Sequence, residues 1–240
     1  MTNPLDDHVG AYQGGSPYDF DNEILLTWYP RRILHHARAG GSLLELGLGH
    51  GHATEMFSGH FARHLVLEGS PAVARHFRQT HPDCGAEVVE TWFETFDTDE
   101  RFDVIVMGFI LEHVDDPVLI LRRYRDFLAP GGRMFVAVPN AEVLNRRLGH
   151  LAGMLDDMTT LSDNDLRLGH KRFYSVATLE ADVAEAGCGI DRLEGIYLKP
   201  FTTAQILALQ LDRSVIDALC RVGVDYPELS CGLLAEISVR

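Results

Sequence analysis

The sequence has no apolar run that approaches the roughly 20 residues a membrane-spanning helix requires. It is short of positive charge: 21 Lys and Arg stand against 35 Asp and Glu, a formal net charge of −14. Such a field repels phosphate backbones and anionic lipid surfaces, so neither nucleic acid nor a membrane is expected as a partner. Cys84, Cys188, Cys220 and Cys231 lie far apart and form no CxxC pair, so the spacing of a zinc site or a dithiol redox motif is missing. The first ten residues are polar and acidic, without a basic patch followed by an apolar core. A secretory leader is therefore not expected, and the cytoplasm is the expected compartment. There is no internal repeat and no low-complexity segment.

What is present suits one well-filled core: 46% of 240 residues are apolar, and a single domain over residues 1–240 is the expectation. Strand-like apolar runs at 42–46, 64–67, 86–89, 104–107 and 133–138 alternate with helix-like stretches at 54–63, 71–80 and 117–128. In the last of these Val118, Leu121, Tyr124, Phe127 and Leu128 recur at helical spacing. This alternation predicts βαβ units, a doubly wound, mostly parallel sheet and right-handed crossovers. Residues 1–40 read as an N-terminal cap. It has an aromatic-rich loop at 12–21 and a helix at 23–39, with Tyr12, Tyr18, Phe20, Trp28 and Tyr29 as candidate parts of a lid. Residues 141–170 and 200–228 read as helical insertions, with a further helix at 175–186 and late strands at 190–198 and 229–239.

The sharpest local signal is Leu43-Leu44-Glu45-Leu46-Gly47-Leu48-Gly49-His50-Gly51-His52. A buried strand enters a turn with three alternating glycines and leaves it as a helix. Glycine suits positions where the backbone takes positive φ or a ligand must come close, and the free N–H groups of a helix start suit an anionic group. The dinucleotide fingerprint GxGxxG is met at Gly47 and Gly49, but its third position falls on His52. Glu68 ends the second strand, 21 residues after Gly47, where a carboxylate can accept from ribose hydroxyls. These two features admit an NAD-dependent oxidoreductase, a methyltransferase, or a non-catalytic protein that retains a cofactor pocket.

Further motifs bear on the choice. Glu45-x-Gly47-x-Gly49-x-Gly51 is followed by Phe102-Asp103-Val104-Ile105-Val106-Met107, then by Leu111-Glu112-His113-Val114 with Asp116-Pro117. Leu128-Ala129-Pro130-Gly131-Gly132-Arg133 and His170-Lys171-Arg172-Phe173-Tyr174-Ser175 complete the series. In order and spacing, over about residues 40 to 190, this resembles the class I S-adenosylmethionine-dependent methyltransferases of the small-molecule type. The resemblance implies a seven-stranded sheet whose last strand is antiparallel, and S-adenosylmethionine as cofactor. It also implies that Glu45 orients the methionine end, that Gly47, Gly49 and Gly51 shape the pocket, and that Glu68 holds the ribose. Gly69 and Ser70 would pass beside the adenosine, and Met107 and Gly108 would lie near the methionine. Many relatives place an Asp after the third strand, at the adenine; Trp92 stands there instead, next to Phe93, and a ring packing on adenine is the expectation.

The acceptor is less legible. Met107-Gly108-Phe109-Ile110 is not the Asn/Asp-Pro-Pro-Tyr pattern of nucleic-acid amino-methyltransferases, and no Pro-Cys nucleophile is present. With the net charge, this favours a small molecule, its acceptor atom being oxygen, nitrogen or carbon. His113 and His170 are the candidate general bases, since a hydroxyl or carbon nucleophile needs a proton removed and imidazole titrates near neutrality. The acidic stretch with Asp156, Asp157, Asp163 and Asp165 would suit a cationic or hydroxyl-rich acceptor, or is a solvated face. No compact carboxylate cluster has metal-ligand spacing, so no metal is expected.

Overall fold

In the computed structural model, which describes residues 19–240, a seven-stranded sheet runs in the order β3-β2-β1-β4-β5-β7-β6. The strands are β1 (Ser42–Leu46), β2 (Arg63–Glu68), β3 (Glu87–Glu90), β4 (Phe102–Gly108), β5 (Leu128–Pro139), β6 (Cys188–Leu198) and β7 (Ser230–Val239). β1 pairs in parallel with β2 and β4, β2 with β3, and β4 with β5. β7 is inserted antiparallel between β5 and β6, as expected for the last strand. The described helices are α1 (Asp19–His36), α2 (His52–Phe57), α3 (Pro71–Thr80), α4 (Pro117–Arg125), α5 (Leu144–Leu151), α6 (Asp163–Arg167), α7 (Val176–Glu185), α8 (Thr203–Ala208) and α9 (Arg213–Gly223). None is long and apolar enough to cross a membrane.

The central strands are apolar on both faces because both are covered. Leu44, Ile105, Met134 and Val136 pack with Tyr124 of α4 and Leu179 of α7. Their neighbours Leu43, Val104, Val106, Phe135 and Ala137 turn the other way, onto Ile24 and Ile33 of α1, Phe57 of α2 and Ile216 of α9. Helix starts are set locally. Ser70 Oγ accepts from Val73 N (3.2 Å) and Asp116 Oδ1 from Leu119 N (2.9 Å), each with a proline at the next position.

Several boundaries differ from the sequence reading: the helix expected over 23–39 spans Asp19–His36, so residues 19–21 of the expected loop are helical. The helix expected over 54–63 stops at Phe57, because Gly59 takes φ +81° and turns the chain into β2. The helix expected to reach residue 128 ends at Arg125. β5 begins at Leu128 rather than 133: the Pro-Gly-Gly segment stays in the sheet edge, and Phe102 pairs with Leu128 before the register shifts. Of the N-terminal cap, Tyr12 and Tyr18 lie outside the described residues. Phe20, Trp28 and Tyr29 lie on α1, Phe20 and Trp28 packed against the core and Tyr29 buried in it.

β1 and β4 are neighbours from which the chain departs in opposite directions, β1 towards β2 and β4 towards β5. That switch point opens a crevice at the carboxyl edge of the sheet, where open α/β sheets bind ligands.

Candidate functional site

A cavity of about 610 Å³ lies over that edge. One wall is the glycine turn. Gly47 (φ +79°) and Gly49 (φ +49°) both line the cavity. A Cβ on Gly47 would come within 2.6 Å of Ile110 Cδ1, whereas one on Gly49 would meet nothing within 4 Å among the described residues. Gly51 (φ +80°) is not on the wall; its missing side chain makes room for the Phe77 ring of α3, which a Cβ would approach to 2.8 Å. Thus the first two glycines face the cavity and the third seats a helix.

Glu68 lies at the end of β2 beside this turn and is buried. Its Oε2 accepts from Leu48 N (3.0 Å) and its Oε1 from Ser70 N (2.7 Å), so two backbone donors aim the carboxylate. Gly69, Ser70, Phe93 and Gly108 also line the cavity. Gly108 lacks a side chain where the Tyr29 hydroxyl approaches β4, and the Tyr29 ring meets Phe109 edge-on at 5.7 Å.

Besides Gly51, three residues expected near the cofactor lie outside the cavity lining. Glu45 is buried on β1 and binds His64 Nε2 across to β2 at 2.9 Å, away from the cavity lining. Burial pushes its carboxyl up, and the His64 hydrogen bond pulls it back down. Met107 is fully buried in the core beneath α4 and α7, because alternate strand residues face opposite sides. Trp92 is 44% exposed and outside the lining, while its neighbour Phe93 turns inward.

The opposite wall brings His113 and His170 together. Their rings meet edge-to-face with centroids 4.7 Å apart, and both residues line the cavity. The contact is built by the segment that returns from the insertion. Lys171 N donates to Glu112 O (2.8 Å), and Arg172 Nη1 donates to Leu111 O (2.8 Å) and Val114 O (2.6 Å). Lys171 Nζ also pairs with Asp115. The motif at 170–172 is therefore clamped onto the loop at 111–115. Asp165, held in a capping box with Ser162, places Oδ1 3.4 Å from His170 Nδ1.

Glu112 is the residue whose importance the sequence hid in plain view between Leu111 and His113. It is fully buried, and among the described residues neither carboxylate oxygen has a hydrogen-bond partner. Glu112, His113 and His170 each offer an atom that could hold a cation, all within 4.8 Å of one another; no other such group of three occurs among the described residues. Burial pushes the Glu112 carboxyl up to about 7, against the pull of His170 and Arg172.

That shift has a sign. The unfolded carboxyl titrates near about 4.3, so between there and pH 7 the folded state holds the proton more tightly and stability falls as pH rises. Above about pH 7 the loss is complete, on the order of 3 kcal/mol. Glu112→Gln removes this dependence. The variant is expected to gain stability relative to wild type when pH is raised from 5 to 8, in urea melts at each pH. An unchanged difference between the two proteins would show that Glu112 is already ionised at pH 5.

Comparison with known proteins agrees with this geometry. A family model described as "Methyltransferase domain" matches residues 23–193. The chain is 33% identical over 115 residues to a ubiquinone biosynthesis O-methyltransferase of Parvibaculum lavamentivorans, covering 47% of this chain but only 44% of that protein. It is 29% identical over 194 residues to the protein of the same name from Azorhizobium caulinodans, covering 76% and 74%. Among solved structures, N-methyltransferase NodS from Bradyrhizobium japonicum superposes with a TM-score of 0.61 at 17% identity, covering 98% of this chain and 97% of that one. The 1,6-didemethyltoxoflavin-N1-methyltransferase of Burkholderia thailandensis gives 0.61 at 16%, covering 98% and 87%. With a family model over residues 23–193 and the seven-stranded sheet with its antiparallel β7, the chain belongs to the class I S-adenosylmethionine-dependent methyltransferases.

Proposed function

We propose that the protein transfers a methyl group from S-adenosylmethionine to a hydroxyl of a small molecule. The observation that carries this reading is that one cavity holds both the Gly47–Gly49 turn with Glu68 and the Glu112, His113 and His170 cluster. When bound, S-adenosylmethionine supplies an electrophilic methyl on its sulfonium and leaves as S-adenosylhomocysteine. Gly47 and Gly49 would admit the cofactor against bare backbone, Glu68 would accept from its ribose hydroxyls, and Gly69, Ser70, Phe93 and Gly108 would border it.

On the acceptor side, His113 would take the proton that the acceptor hydroxyl gives up on methylation. The buried Glu112 carboxylate offsets the charge that imidazole gains, and His170 confines the ring from one side. The Tyr29 and Phe109 rings restrict the acceptor's approach and exclude water. Positioning of the two reactants supplies the rest of the acceleration. The net charge of −14 supports a small molecule rather than nucleic acid as acceptor; the cytoplasm as its compartment is part of the same proposal.

Ligand-dependent melting tests the proposal. S-adenosylhomocysteine at about 100 times its Kd stabilises the folded chain by about 2.7 kcal/mol, and NAD is expected to leave the melt unchanged. Glu68→Ala is expected to weaken S-adenosylhomocysteine by about 1.5–3 kcal/mol, as befits lost hydrogen bonds to a charged group. Stabilisation by NAD alone would make the protein an oxidoreductase instead.

A further inference from the structure

The cavity has a polar wall that methyl transfer does not use. Asp21 from the first turn of α1, Lys199 directly after β6 and Thr203 at the start of α8 all line it, and all three are buried. Lys199 Nζ donates to Asp21 Oδ2 (2.6 Å) and to Thr203 Oγ1 (2.9 Å), and the Thr203 hydroxyl donates to the same Asp21 oxygen. Asn145 joins them: its N–H donates to Lys199 O (3.1 Å), and its side chain lines the same cavity. Lys199 is one of two lysines in a chain whose other cationic side chains are arginines.

The hydrogen bonds on this wall do not close. An ammonium has three donors, and Lys199 uses two. Asp21 Oδ2 takes both bonds, while Oδ1 has no partner among the described residues; Asn145 Oδ1 is likewise buried without one. Unpaired buried acceptors are costly, and a buried ion pair repays its desolvation poorly compared with apolar packing. Folding alone does not call for this arrangement. A ligand that brings its own donors and acceptors does.

We propose that this wall recognises the methyl acceptor, and that the acceptor is a neutral polyhydroxylated molecule of the sugar type. The inference rests on the methyltransferase reading and names its substrate class. A hydroxyl both donates and accepts, so neighbouring hydroxyls can give to Asp21 Oδ1 and Asn145 Oδ1 and take the third N–H of Lys199. On this wall Lys199 and Asp21 neutralise each other, while Arg146 elsewhere on the cavity is held by the carbonyls of Met158 and Thr160. Phe109, also on the cavity, gives an aromatic surface for the C–H face of a pyranose; the Phe173 ring carries the Arg146 guanidinium at 4.9 Å. A phenol with a long apolar tail would leave the polar atoms unpaired, and sites built to hydrogen-bond discriminate strongly against such ligands.

The test offers isotope-labelled S-adenosylmethionine to the full chain with two acceptor pools. One holds methyl hexopyranosides and a water-soluble metabolite extract; the other holds 3,4-dihydroxybenzoate and prenylated phenols. Label is expected in polyhydroxylated products of the first pool. With that acceptor, Asp21→Asn and Lys199→Met are expected to raise its KM by at least about tenfold. The kcat and the affinity for S-adenosylhomocysteine should hold. Lys199→Met strands a buried carboxylate, so Asp21→Asn/Lys199→Gln, which removes both charges together, is measured beside it. The proposal is overturned by label confined to phenols, by an acceptor KM unchanged in the double variant, or by no labelled polyol while S-adenosylhomocysteine still stabilises the chain. Failure of S-adenosylhomocysteine to stabilise the wild type would instead remove the methyltransferase reading beneath it.

Discussion

His113→Gln is expected to lower kcat by about 10²–10⁴-fold, the usual worth of a positioned general base, while S-adenosylhomocysteine binds as in wild type. His113 follows β4 at the switch point, and its ring is fixed by His170 at 4.7 Å and by the Arg172 clamp on the carbonyls of Leu111 and Val114. Glutamine keeps a polar group of similar reach but cannot take the proton. His170→Gln should cost less, because its Nδ1 side faces Asp165. Single-turnover methylation at saturating acceptor is the measurement, and wild-type rates in both variants would reject histidine catalysis. The same three side chains lie close enough to hold a cation, so the assay includes enzyme treated with EDTA. Under proton transfer the treated enzyme keeps its rate; loss of rate restored by zinc or magnesium would turn the base into a ligand.

Gly49→Val is expected to abolish S-adenosylhomocysteine binding and to lower the melting temperature by about 2–4 °C for each kcal/mol of backbone strain. At φ +49° a β-branched residue is strained by about 1–3 kcal/mol. Its side chain would also project where no atom of the described residues lies within 4 Å, on the cavity wall. The damage is therefore to the ligand's space. Gly51→Val is the informative contrast, since its added atoms meet the Phe77 ring and would unseat α3. Calorimetric titration and melting curves separate the two. Undiminished affinity in Gly49→Val would show that the ligand does not touch the turn.

The fold was legible because its signals are local. Apolar strands, Ser70-Pro71 and Asp116-Pro117 caps and the glycine turn act within a few residues of themselves. The antiparallel place of β7 came only with the family resemblance, since pairing over a hundred residues of separation leaves no local mark. The site divides the same way. Gly47, Gly49, Glu68 and Phe93, which stand beside strand ends, do line the cavity. Glu45, Met107 and Trp92 fall outside its lining, because a motif fixes position along the chain and not the direction a side chain takes. His170 reaches His113 through a clamp of Lys171 and Arg172 on backbone carbonyls, which no spacing predicts. Asp21, Asn145 and Lys199 meet across a separation of 178 residues between the outer two. Only the folded chain could assemble them.

The segment between Pro139 and Tyr174 leaves and re-enters the sheet layer at one spot. Asn140 and Tyr174 form a parallel bridge, Ala141 N donates to Tyr174 O (2.7 Å), and Tyr174 N donates to Pro139 O (3.1 Å). A loop whose ends are already joined costs little to lengthen, about 0.6 kcal/mol for each doubling. Residues 142–169 thus form a cassette that could be exchanged with a related enzyme's without disturbing the strands or the glycine turn. The graft would carry over Asn145 and Asp165 and so redefine which acceptor is admitted. It would work only if His170, Lys171 and Arg172 stayed with the host, since they latch the returning chain to the loop that carries His113.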